Sequence, residues 1–120
     1  MPEEAIFFDT YAFFEILEAN PLYKRFENAK AVTTIFNLAE LNFALKREKK
    51  QAADETTLKY ASLLTEVGVE DVTRAMSLRM EKRALSIPDA IGYTVAKRLG
   101  IKFLTGDGEF KGIANVEFVK

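Results

Sequence analysis

The chain has 120 residues, 17 Lys and Arg against 18 Asp and Glu, a net charge of −1, and an apolar fraction of 48%. That length and balance predict one domain over residues 1–120 with an ordinary core, and bulk charge offers no argument for a nucleic-acid partner. There is no Cys and no His, which excludes disulfides, thiolate zinc sites, cysteine nucleophiles and the Ser-His-Asp triad. Any enzymatic chemistry must run on carboxylates, hydroxyls, Lys, Arg or a hard metal held by oxygen. A carboxylate-held Mg²⁺ or Mn²⁺ fits that inventory best.

The first apolar run, Ala5 to Phe8, is too short for a signal peptide, and no stretch approaches the ~18 residues of a membrane span. A cytoplasmic protein without membrane contact is expected. Ala5 to Phe8 reads as a buried strand ending at Asp9-Thr10. Tyr11 to Ala19 reads as a helix stopped by Asn20-Pro21, followed by a short helix over Leu22 to Asn28 and a strand over Ala31 to Thr34. Ile35 to Lys50 is a long helix, and Asp54 to Glu66 is another, capped by Asp54 and ended by Gly68. Val69 to Val72 looks like a third strand, Arg74 to Leu85 a helix, and Ser86 to Leu99 a further helix with Gly100 as its C-terminal cap. Ile101 to Leu104 and Val116 to Val119 complete five strands, with a turn at Thr105-Gly106-Asp107-Gly108. Short apolar strands alternating with helices predict an α/β fold, a three-layer α/β/α sandwich around a short, mostly parallel five-stranded sheet.

In such sheets ligands bind beyond the carboxyl ends of the strands, where Asp9 and Asp107 both fall. Each acid has a structural alternative. Asp9 is placed to cap the helix after it. Glu40 has Phe36, Asn37, Phe43 and Ala44 as its helical neighbours, so its carboxylate lies on or beside an apolar face and needs a cation, an ion pair or strong donors. Asp89, in Ser86-x-x-Asp89, resembles the acid of a capping box. Asp107 sits in a turn that favours Asp on its own account. Taken together, four converging acids repel one another unless a cation neutralises them, and a Mg²⁺ held by oxygens pairs naturally with phosphate substrates.

Four segments in register resemble the PIN domain, and within it the small VapC-type toxin ribonucleases: Ile6-Phe7-Phe8-Asp9-Thr10, Asn37-Leu38-Ala39-Glu40-Leu41, Ser86-Ile87-Pro88-Asp89-Ala90, and Phe103 to Phe110 around Thr105-Gly106-Asp107-Gly108-Glu109. The resemblance implies that Asp9, Glu40, Asp89 and Asp107 hold one or two divalent ions and carry catalysis. It implies that Thr10 and Thr105 orient those carboxylates, and that Glu109, where many members have Asp, is a peripheral acid. It further implies an RNA substrate, an antitoxin partner and a homodimer. With all four principal acids present, an active enzyme is expected.

Lys46, Arg47, Lys49 and Lys50 end the Glu40 helix and are candidates for RNA phosphates, or simply cations complementing the helix dipole. The apolar residues Tyr11, Phe13, Phe14, Ile16 and Leu17 suggest a helix with a partner face as well as a core face. A haloacid-dehalogenase-type phosphatase also begins with strand-Asp, but needs a second Asp where this chain has Tyr11. A receiver domain would show paired acids near the first strand, and none are there. A non-catalytic binding module on the same fold and an RNA-processing nuclease remain as alternatives to a toxin.

Overall fold

The computed structural model describes residues 4–120. Ala5–Phe8 forms β1, Lys30–Val32 β2, Lys102–Thr105 β3 and Val116–Phe118 β4. They pair in the order β2-β1-β3-β4, every pair parallel, with Phe7 opposite Phe103 and Phe8 opposite Leu104. Five α-helices cover the sheet: α1 (Thr10–Leu17), α2 (Ile35–Arg47), α3 (Ala53–Lys59), α4 (Val69–Glu81) and α5 (Ile87–Leu99).

Successive strand residues face opposite ways, and this splits the core in two. Phe7 and Phe103 pack with Ala75, Ile91 and Val95 of α4 and α5. Phe8 and Leu104 pack on the other face with Phe13 of α1 and with Leu38 and Leu41 of α2. The three-layer α/β/α expectation therefore holds. Helix α5 lies hard against the sheet at Gly92, where a Cβ would fall 2.9 Å from the Phe7 ring. No substituent larger than hydrogen fits there without displacing close-packed rings.

The sheet has four strands, not the expected five. Val69 to Val72 is the first turn of α4. Gly68 occupies its cap position and donates its N–H to the Asp71 carboxylate at 2.9 Å, and the acids Glu70 and Asp71 suit a helix N-terminus. A Val-x-x-Val spacing serves a helix as well as a strand. The sheet gains instead a single parallel bridge between Thr33 and Leu64. The helix expected over Asp54 to Glu66 stops early to supply it: α3 ends at Lys59, and Tyr60–Leu63 is a 3₁₀ turn. Asp54 is not the cap of α3 either. Ala52 takes that position with a left-handed φ of 57°, and Asp54 instead pairs with Lys46. The expected Leu22-to-Asn28 helix is a 3₁₀ segment over Pro21–Phe26 capped by Asn20. The helix expected from Arg74 to Leu85 is the later part of α4, which ends at Glu81. Among the described residues no helix is long and apolar enough to cross a membrane.

Candidate metal centre

From β1 the chain crosses to β2 on one side of the sheet and returns to β3 on the other. The reversal lies between β1 and β3, and side chains leaving their carboxyl ends converge on one crevice. Asp9 directly follows β1, and Asp107 stands two residues past the end of β3. Glu40 reaches the crevice from the middle of α2, and Asp89 from the first turn of α5. All four line one cavity of about 580 Å³.

Three of these acids meet. Carboxylate oxygens of Asp9, Glu40 and Asp89 lie within 4.8 Å of one another. Asp107 lines the same cavity and adds its charge against Asp89, but stands outside that triplet. Asp9 is 1% exposed and, although it stands at the cap position of α1, its side chain does not cap the helix. It accepts a 2.7 Å hydrogen bond from the Thr105 hydroxyl at Oδ2, while Oδ1 is buried without a partner. Thr105 in turn accepts from the Asp107 N–H at 3.1 Å, so one hydroxyl ties the ends of β1 and β3 together. Gly106 permits this closeness, because a Cβ there would collide with the Val119 carbonyl and the Tyr11 ring.

Asp89 plays both roles considered for it. Its Oδ2 accepts the Ser86 N–H at 2.9 Å and its own N–H donates to Ser86 Oγ at 3.1 Å, a complete capping box. That locks the carboxylate in place beside Glu40, which accepts from the Ser86 hydroxyl at 3.3 Å. Burial, above all, pushes Asp89 up to about 6, with Glu40 and Asp107 repelling its charge. Asp9 is raised well above the usual carboxylate range, again chiefly by burial and then by Asp89. A buried carboxylate oxygen of Asp9 without a donor, beside a second acid whose charge is also disfavoured, is chemically matched to a cation. With oxygen as the only donor type, the ion fitting this set is Mg²⁺ or Mn²⁺.

The remaining expected residues divide. Thr105 touches a site carboxylate, whereas the Thr10 hydroxyl donates to the Asn37 carbonyl at 3.3 Å and so fixes α1 to α2. Glu109 meets Asp107 only through its backbone N–H, at 3.0 Å. Of the basic cluster, Lys46 and Lys50 are turned away in ion pairs with Asp54 (2.9 Å) and Glu18 (3.2 Å), Lys49 is exposed, and Arg47 lines the cavity. Sequence reasoning missed Ser86 as a donor to Glu40, and missed Phe43 beside Arg47 in the cavity wall. The spacing Glu40, Phe43, Ala44, Arg47 is a single helical stripe and was the signal available.

A parallel α/β sheet with a carboxylate cluster at its reversal point is an arrangement able to hold a hard cation. The PIN domain family model matches residues 6–116, so the chain belongs to the PIN domain family. Among solved structures the fold is similar to the sarcin-ricin loop cleaving toxin VapC20 of Mycobacterium tuberculosis, with a TM-score of 0.77 and 22% identity over 96% of this chain and 99% of that one. It is also similar to a chain of a toxin–antitoxin complex from Klebsiella pneumoniae (TM-score 0.73, 20% identity, covering 92% and 94%). A third relative is a chain of VapBC2 from Rickettsia felis, bound to a DNA fragment from its promoter (0.69, 18%, 97% and 98%). No curated protein matches the sequence.

Proposed function

We propose that the protein is a divalent-metal-dependent endoribonuclease, the toxin of a toxin–antitoxin pair. The observation that carries this reading is the carboxylate triplet Asp9, Glu40 and Asp89, in which Asp9 is fully buried with an unpartnered oxygen, with Asp107 beside it. Membership of the PIN family supports a nuclease, and the VapC and toxin–antitoxin relatives support the toxin role and an antitoxin partner. On this reading Asp9, Glu40, Asp89 and Asp107 hold the ion. Bound there, Mg²⁺ or Mn²⁺ supplies activation of water and charge neutralisation at the scissile phosphate.

The chain's own groups do the positioning. Thr105 holds Asp9, Ser86 holds both Asp89 and Glu40, and the α5 capping box fixes Asp89 before any ligand arrives. That preorganisation is what a metal centre requires of the residues around its ligands. A cytoplasmic homodimer completes the proposal. Light scattering that shows a monomer with no affinity for any partner removes that part of it.

The test is cleavage of a mixed set of labelled single-stranded and hairpin RNAs with Mn²⁺ and with EDTA. Cleavage only with metal, and a metal-dependent rise in melting temperature that Asp9→Asn abolishes, is expected. Metal-independent cleavage, or a thermal shift unchanged in Asp9→Asn, overturns the assignment. Absence of cleavage on every RNA, with the thermal shift intact, favours a binding module on the same fold.

A further inference from the structure

Phe43 is left 65% exposed in the wall of the carboxylate cavity. It stands one helical turn past Glu40, and the Arg47 guanidinium lies 5.6 Å from the centre of its ring. Ala44, between them on the same stripe, is short and buried, and the guanidinium lies over one face of the ring, leaving the other face for a ligand. The charges around them are lopsided. Six carboxylates line this cavity, and Arg47 is the one cation among its lining residues. Lys46 and Lys50, which could have softened that balance, are held elsewhere by Asp54 and Glu18.

A strand of nucleic acid entering such a cleft is repelled except where a cation receives its phosphates. Away from the carboxylate triplet, Arg47 is that place. Beside it, an aromatic face open to water offers a nucleobase its stacking surface, and base-on-aromatic stacking with Arg support is the recurring way unpaired nucleotides are held.

Resting on the nuclease reading above, we propose that Phe43 and Arg47 form a nucleotide-reading rim. Phe43 stacks on an unpaired base flanking the scissile phosphate, and Arg47 takes a neighbouring phosphate. The substrate class follows. A base must be out of a duplex to present its face to Phe43, so the rim selects single strands and loops over paired RNA.

The chain contains no Trp, which makes Phe43→Trp a unique reporter. Labelled oligo-A, oligo-U and a fully paired RNA hairpin stem are titrated with Ca²⁺ present, and the RNA is checked on a denaturing gel for integrity. Stacking predicts quenching of the Trp emission by the single strands, more by oligo-A than by oligo-U, and little by the stem. Phe43→Ala weakens single-strand binding about 5- to 150-fold. Arg47→Ala lowers the salt dependence by about 0.7 in log–log slope. Leu58→Ala, an equally exposed apolar truncation on α3 outside this cavity, leaves binding unchanged. Binding by the wild type with a silent Trp and an unaffected Phe43→Ala overturns the rim but leaves the nuclease reading standing. Failure of the wild type to bind any of the RNAs overturns both. Quenching by oligolysine but not by RNA assigns the rim to a protein partner and overturns the proposal.

Discussion

Helices α4 and α5 open in nearly the same way, and the difference between their openings separates an ion-paired acid from one at the proposed site. Each is 13 residues long, and each carries an Asp at its third position whose Oδ2 accepts the cap residue's N–H at 2.9 Å. Both carboxylates are buried, Asp71 at 3% and Asp89 at 9% exposure. Their surroundings are opposite. Asp71 meets the Arg98 guanidinium at 2.8 Å, a contact that chiefly holds its carboxyl below the usual range. Asp89 meets the carboxylates of Asp9 and Glu40, and burial, with repulsion from Glu40 and Asp107, pushes it up to about 6. The bond from the cap residue's N–H explains where each carboxylate is. It does not explain why one of them is denied a counter-charge, and that denial marks the site.

The sharpest way to break this contrast is to remove charge and keep the cap. Asp89→Asn retains the acceptor for Ser86, so the fold should stand while metal-dependent cleavage drops by about 100-fold or more. Asp71→Asn should leave cleavage unchanged. Comparable losses in both variants, measured as initial rates on one RNA, would erase the distinction. Next in size, Thr105→Val removes the donor to Asp9 and the acceptor for the Asp107 N–H. Metal affinity, read by titrating Mn²⁺ against melting temperature, should fall about 10- to 100-fold. An unchanged affinity would show that Asp9 is oriented without Thr105.

The pH dependence of stability should also separate the two acids. The folded state holds a proton on Asp89 more tightly than the unfolded chain does, so the native state binds the extra proton between the usual carboxylate value of 3.8 and about 6. Without metal, this group favours folding at low pH and loses that advantage as pH rises through about 6, an effect on the order of 3 kcal/mol or less. Asp71 runs the other way, with stability present above the ordinary carboxylate value and lost as pH falls below it. In urea melts in EDTA, wild-type stability should therefore fall as pH rises through about 6, and Asp89→Asn should lose that dependence. A wild-type profile identical to that of Asp89→Asn would contradict the raised value. Smallest, Asp71→Ala should cost about 1–2 kcal/mol of unfolding free energy through the lost cap and its partly exposed ion pair. Asp89→Ala should cost less in EDTA, because the lost cap is offset by relief of repulsion.

The Asp89 side of this contrast was legible in the sequence. Strand-then-Asp at Phe8-Asp9, Ser86-x-x-Asp89, and the apolar neighbours of Glu40 pointed to their elements because each signal is local in the chain. What failed was also local, but ambiguous. Val69 to Val72 reads as a strand until Gly68 and Asp71 are seen to close a cap around it. Asp54 looks like a cap until Ala52 takes the left-handed turn and Lys46 takes Asp54. The division of the basic cluster was out of reach, because Glu18 and Asp54, which remove Lys50 and Lys46, are brought there only by the fold. The same holds for the Ser86 hydroxyl reaching Glu40 across 46 positions.

The bond between Thr105 and Asp9 joins residues 96 positions apart, and that separation bears on how the molecule is made. During synthesis the N-terminal segment emerges early, and β1 with Asp9 exists long before β3 does. Until the last quarter of the chain is released there is no strand on one flank of β1, no hydroxyl for Asp9 and no Asp107. Contacts of such long sequence separation form late. A ribosome-tethered fragment ending before β3 therefore carries Asp9, Glu40 and Asp89 but neither the strand nor the hydroxyl that holds Asp9 in place.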